Sequence, residues 1–176
     1  TANMKAFLGR KEAEVVALAD VDKKHLAEAA GIVEKAGHKP TTFGDYRKLL
    51  EDPSIDAIVV ATPDHWHALA TTDSCAAGKD VYCEKPLSLT VAEGRRMVEV
   101  ARAAKRVVQT GSQQRSDDRF RLACEQVRSG RLGKIKEVRV LLPKVNFAGP
   151  AVADSTPPAE LDYDFWLGPA PERPFN

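Results

Sequence analysis

The sequence predicts a doubly wound α/β fold built on a mostly parallel sheet, and three observations carry that expectation. Short apolar runs alternate with helical patterns along most of the chain, with little sequence between them. Two of the runs, 55–60 and 80–82, each end in a polar cluster: Thr62, Pro63, Asp64, His65, Trp66 and His67 after the first, Cys83, Glu84, Lys85 and Pro86 after the second. Ligands of open parallel sheets sit outside the carboxyl ends of the strands, so two such clusters at successive strand ends point at one crevice.

The elements follow in order. Residues 14–20 read as a strand ending in Asp20. Residues 23–36 read as a helix, with Asp22 as N-cap and Gly37 just past its end. Thr41, Thr42 and Phe43 make a short strand, and 45–51 a short helix. The strand at 55–61 leads into a helix over 64–77 stopped by Gly78, then the strand at 80–84. Thr90 and Glu93 have capping-box spacing and open a helix running to Lys105. Residues 106–111 form another strand, and 116–129 a helix ended by Gly130. Strands separated by helices of about ten to fifteen residues imply right-handed crossovers and parallel pairing.

The pattern changes after Gly133. Residues 135–142 alternate, with Ile135, Val138, Val140 and Leu142 among Lys136, Glu137 and Arg139, which suits an edge strand or the first strand of a second, antiparallel domain. From Pro143 to Asn176 no periodicity persists. The expected organisation is therefore a first domain over 1–133 and the beginning of a second, α+β substrate domain over 134–176. The front is also expected to be incomplete. An acidic residue about 20 positions after a glycine fingerprint holds ribose hydroxyls in dinucleotide-binding units. Asp20 fits that role, which would put the glycine turn and first strand before Thr1 and leave 1–8 as the rest of the helix they open. No G-x-G-x-x-G occurs in these residues, and on periodicity alone a flavodoxin-like domain without a dinucleotide fits equally.

Composition narrows the function classes. With 176 residues and 43% hydrophobic content the chain can bury a core, and 26 basic against 25 acidic residues argue against nucleic-acid or membrane-surface binding through bulk charge. No apolar stretch approaches the ~20 residues of a membrane span. Cys75, Cys83 and Cys124 are odd in number and widely spaced, which suggests neither a disulfide framework nor a zinc site.

The site residues can be weighed singly. A carboxylate at Asp20 accepts from ribose hydroxyls and repels a 2′-phosphate, and Val21 offers no positive charge, so NAD is favoured over NADP. Lys23 and Lys24 are close enough in sequence to reach a phosphate. His65 and His67, two apart, share no helix face, so no metal site is expected. Trp66 and His67 are expected to line the crevice. Lys85, at a strand end and partly desolvated, would have its pKa lowered into the range of a working acid or base. Glu84 would position a ribose or tune that lysine, and the bond before Pro86 is a place for a cis peptide.

These segments, with Ala19, Asp20, Val21 and Asp22 first, 61–67 next and Gly78 through Leu87 last, resemble the glucose-fructose oxidoreductase / inositol dehydrogenase / MocA-like family in order and spacing over residues 1–142. The resemblance implies a Rossmann-type NAD(P)-binding domain followed by a substrate domain with a large antiparallel sheet that also mediates homo-oligomerisation. By position it gives Asp20 the adenosine ribose, puts Thr62, Pro63 and His67 along the cofactor crevice with Val21 and His65 in the same cofactor-binding set, and places Glu84, Lys85 and Gln113 near the nicotinamide. Lys85 is the implied catalytic lysine, and a partner histidine would lie beyond Asn176. Residues 161–171 resemble a branch whose members are often exported and act on carbohydrates; otherwise a cytoplasmic location is the default. The expected function is an NAD-dependent oxidoreductase acting on a sugar, polyol or related hydroxyl compound. The alternatives are an NAD-using glycosidase or lyase that oxidises a sugar transiently, and a non-catalytic nucleotide-binding regulator.

Overall fold

The computed structural model describes residues 2–142 and 152–176. Chain contacts divide into two compact units, Thr1–Gly111 with Ser155–Phe175, and Ser112–Asp154 with Asn176.

In the first unit, α1 (Ala2–Leu8) precedes β1 (Ala17–Ala19), α2 (Lys23–Lys35), β2 (Thr41–Phe43) and α3 (Tyr46–Leu50). There follow β3 (Ala57–Val60), a 3-10 turn Asp64–Trp66, α4 (His67–Ala76), β4 (Asp80–Glu84), α5 (Val91–Ala103) and β5 (Val108–Gly111). The second unit contains the 3-10 turn Gln113–Ser116 and α6 (Asp118–Arg128).

Strand pairing is parallel throughout. β1 pairs with β2, and β4 lies between β3 and β5. The two sets form a two-stranded and a three-stranded parallel sheet among the described residues.

Helix starts and stops follow local chemistry. The Asp22 carboxylate accepts from the backbone N–H groups of Lys24 and His25, chiefly the latter, and these bonds hold it below the usual carboxylate range. Thr90 and Glu93 form the reciprocal capping box. Gly78 ends α4 at φ +80°, a conformation glycine adopts without steric cost.

The core is the layer where α4 and α5 cover β3 and β4. Val60, Ala68, Ala70, Cys75, Val81, Cys83 and Met97 are all buried there. Burial raises both thiols, Cys75 and Cys83, above their ordinary pKa, so neither is an activated nucleophile. Lys79 is also buried, with its Nζ donating to the Asp52 carbonyl at 2.6 Å, an anchored stem between α4 and β4.

Two expectations are corrected. Residues 135–142 form no strand: they pair with nothing among the described residues, and Val138, Val140, Leu141 and Leu142 are exposed. An alternating pattern becomes a strand only where a neighbouring ladder and an apolar face receive it. The region from Pro143 onward is also not uniformly irregular. Residues 143–151 lie outside the described residues, but α7 (Tyr163–Leu167) follows an Asp162 N-cap whose side chain accepts from Phe165 N at 3.0 Å. No helix among the described residues is long and apolar enough to cross a membrane.

Candidate functional site

The site is best built from the strand ends. β4 alternates Val81 and Cys83 into the core and carries Tyr82 and Glu84 on its other face. The Glu84 carboxylate is held from two sides: Oε1 accepts from Asn3 Nδ2 at 2.8 Å, and Oε2 accepts from the Lys85 backbone N–H at 3.2 Å. Gly111, at the end of β5, leaves room for that arrangement. A Cβ there would stand 3.0 Å from Glu84 Cα and 3.0 Å from its Oε1.

Lys85 follows, exposed, and its Nζ has no hydrogen bond or ion pair among the described residues. This corrects the expectation of a partly desolvated amine, because no described side chain covers it. The Lys85–Pro86 peptide bond is cis.

The turn after β3 is organised differently. His67, 1% exposed, turns inward at the start of α4. Its Nδ1 is 2.6 Å from the Pro86 carbonyl and its Nε2 2.9 Å from the Thr62 carbonyl. A neutral imidazole donates from one nitrogen; an imidazolium donates from both. His67 therefore does not line an open crevice as expected. It ties the loop after β3 to the loop after β4, which keeps Thr62 and Pro63 beside Lys85 and Pro86.

His65 and Trp66 are likewise engaged. His65 Nε2 lies 2.9 Å from the carbonyl of Trp166, and Trp66 Nε1 donates to the same oxygen at 3.0 Å. That carbonyl belongs to the last turn of α7, where helices leave acceptors without intrahelical partners. Trp66 also packs edge-on against Phe165 and Tyr46, with ring centroids 5.2 and 5.9 Å away. Gly168, at φ +46°, passes so close to the Trp66 indole that any Cβ would collide with it. Both ring nitrogens are thus occupied by the Trp166 carbonyl, and Trp66 is half-buried against this segment.

Asp20 sits at the end of β1, exposed, with Oδ1 accepting from Asp22 N at 2.9 Å and Oδ2 without a hydrogen-bond partner among the described residues. Asp20 and Val21 line a cleft of ≈ 650 Å³ together with Lys23, Trp66, Asp162 and Asp164. Gln113 lies in the second unit, at the start of its 3-10 turn. No cluster of three or more metal-ligating side chains occurs among the described residues.

Asn3 and Gly111 escape sequence reasoning, and residues 161–171 enter it only through a resemblance, not as a wall of this cleft. One local signal was available for the wall: an aspartate immediately before 163–167 is an N-cap pattern.

Parallel strands with crossover helices, an aspartate ending β1 and polar loops at the ends of β3 and β4 define a nucleotide-binding α/β domain of the Rossmann class. Residues 1–112 match the model of the Gfo/Idh/MocA family, described as an oxidoreductase family with an NAD-binding Rossmann fold, and the chain belongs to that family. It is 34% identical over 129 residues to myo-inositol 2-dehydrogenase of Thermotoga maritima, covering 73% of this chain and 37% of that protein. It is 37% identical over 92 residues to D-xylose 1-dehydrogenase (NADP(+)) of Hypocrea jecorina, covering 52% of this chain and 24% of that protein. Among solved structures, myo-inositol 2-dehydrogenase from Lactobacillus plantarum superposes with a TM-score of 0.67 at 29% identity, over 75% of this chain and 38% of that one. The chain thus spans well under half the length of these relatives.

Proposed function

We propose that this chain is the nucleotide-binding part of an NAD-dependent oxidoreductase that transfers a hydride between nicotinamide and a hydroxyl-bearing carbon of a sugar or polyol. The observation that carries the reading is the β4 end: Glu84 is fixed by Asn3 and its own backbone neighbour, while the next residue, Lys85, presents an amine without a partner among the described residues. The chain's residues fit such a cofactor, since Asp20 keeps one carboxylate oxygen open at the mouth of a cleft. Asp20 and Val21 would hold the adenosine ribose, Thr62 and Pro63 the middle of the crevice, and Glu84 and Lys85 the nicotinamide end.

The bound nicotinamide supplies the two-electron acceptor or donor. Lys85 takes the hydroxyl proton as the carbon is oxidised and returns it in the reverse direction. Relatives named as inositol and xylose dehydrogenases support a polyol or sugar as substrate. The exposed Val138, Val140, Leu141 and Leu142 support pairing through the second domain as part of the same reading.

The test uses the full-length protein with myo-inositol and a sugar panel, following NADH absorbance. Lys85→Ala should lower kcat by roughly 10²–10⁴-fold while leaving the Kd for NADH within about twofold. Undiminished turnover in that variant would remove Lys85 from the chemistry.

A further inference from the structure

The segment carrying α7 is placed where it can decide which dinucleotide the cleft accepts. Two backbone hydrogen bonds, which together make up one antiparallel bridge, lay it along the loop after Asp20. Lys23 N donates to the Glu160 carbonyl at 3.0 Å, Asp162 N donates to the Val21 carbonyl at 3.0 Å, and Asp22 forms an antiparallel bridge with Leu161. At its other end the Trp166 carbonyl is held by His65 and Trp66. The segment therefore spans from the loop after β1, whose acidic end takes the ribose in this fold class, to the turn after β3.

Its side chains join the lining of the cleft that holds Asp20 and Val21. Phe165 stacks on Tyr46 and lies under the Arg47 guanidinium, 5.0 Å from its ring centre. Arg47 is in turn paired with Asp45 through contacts of 2.6–3.0 Å, which also hold the Asp45 carboxyl below its usual range. That pair is self-neutralised. Of the remaining charged residues on the cleft wall, Asp20, Asp162 and Asp164 are acidic and Lys23 alone is basic, three negative charges against one positive.

We infer that Asp162 and Asp164 are specificity-determining residues: they supply, from a segment about 140 residues distant in sequence, the negative potential that offsets Lys23 and excludes a 2′-phosphorylated ribose. Asp20 by itself faces a lysine three positions on that could receive a phosphate, so the preference would be weak without the α7 wall. The inference rests on the dinucleotide reading above and extends it from one residue to a three-carboxylate rim.

The experiment measures Kd for NADH and NADPH by nicotinamide fluorescence on the full-length protein, for wild type, Asp164→Asn and Asp162→Asn/Asp164→Asn. Asparagine caps a helix as well as aspartate, so the first turn of α7 keeps its hydrogen bond while the charge is removed. Asp164 is exposed, and the N-cap bond of α7 is made by Asp162, so the single Asp164 variant perturbs the fold least. The double variant should improve NADPH binding relative to NADH about tenfold at low ionic strength, the scale expected for two carboxylates within a cleft's width of a dianionic phosphate. Asp164→Asn should give roughly a threefold change by the same reasoning. Both changes should shrink at about 0.5 M salt, where the screening length falls to a few ångströms. An unchanged NADPH to NADH ratio with NADH binding retained overturns this inference alone. Failure of wild type to bind either dinucleotide overturns the cofactor reading and this inference with it.

Discussion

The turns after β3 and β4 hold comparable polar residues at comparable positions, yet the fold uses them in opposite ways. After β3, His65, Trp66 and His67 all point their ring nitrogens at backbone carbonyls, of Trp166, Trp166, and Thr62 with Pro86. After β4, Glu84 is oriented by Asn3 and Lys85 is left open. The difference lies in what comes next. The β3 turn leads straight into α4, whose first residue must bury, and it meets an aromatic helix; the β4 turn leads through exposed Lys85 and Pro86 into a partly buried loop before Thr90. Residue chemistry at a strand end marks a place where ligands bind, but packing decides which side chains remain available to them.

The comparison predicts that His67 and Lys85 substitutions separate stability from catalysis. His67→Ala removes a fully buried ring and its link between the Thr62 and Pro86 carbonyls, so it should cost about 3 kcal/mol, read as a lower urea midpoint with unchanged slope. Lys85→Ala should change stability by less than about 0.5 kcal/mol, as exposed, unbonded residues do. A destabilised Lys85→Ala together with a neutral His67→Ala would reverse the assignment of the two turns.

Next in size is Gly168→Ala. It places a Cβ against the Trp66 indole and forces a non-glycine residue to positive φ. The two penalties together should cost roughly 2 kcal/mol, read in thermal unfolding. Trp66 fluorescence should also shift, because the ring must move. No change in either would mean the 160–168 wall is not seated on the β3 turn.

Much of this frame is legible in the sequence, because it is encoded locally. Asp22, Thr90 with Glu93, Gly37 and Gly78 mark helix ends by chemistry that acts within a few residues, and the strands over 57–60, 80–84 and 108–111 fall inside the apolar runs. The placing of Asp20, Thr62, Glu84 and Lys85 at or just past strand ends is legible for the same reason. The inward turn of His67 is not, because its partners, Thr62 O and Pro86 O, are backbone groups that any residue type supplies. The wall is hidden for another reason. Its bonds join residues a hundred or more positions apart and follow neither helical nor strand periodicity. The alternating 135–142 segment shows the converse, a strand pattern with no strand to receive it among the described residues.

The smallest effect concerns how the β3 turn is buttressed. Tyr46, which packs on Trp66, donates its hydroxyl to Asp73 Oδ2 at 2.6 Å. Burial first, and then that carboxylate, push its phenol well above its ordinary value of 10.0. A raised folded-state pKa favours the protonated form. Its contribution to stability is therefore complete below about pH 10 and is lost as pH rises from there toward the folded value. The raised thiols of Cys75 and Cys83 act in the same sense from about pH 9. Tyr46→Phe should cost about 1 kcal/mol at neutral pH through the lost hydrogen bond, and the gap between variant and wild type should narrow above pH 10 as the wild type loses its advantage. A gap that stays constant from pH 7 to about 11 would mean that the phenol is not held against Asp73, and that the aromatic contacts alone support the turn.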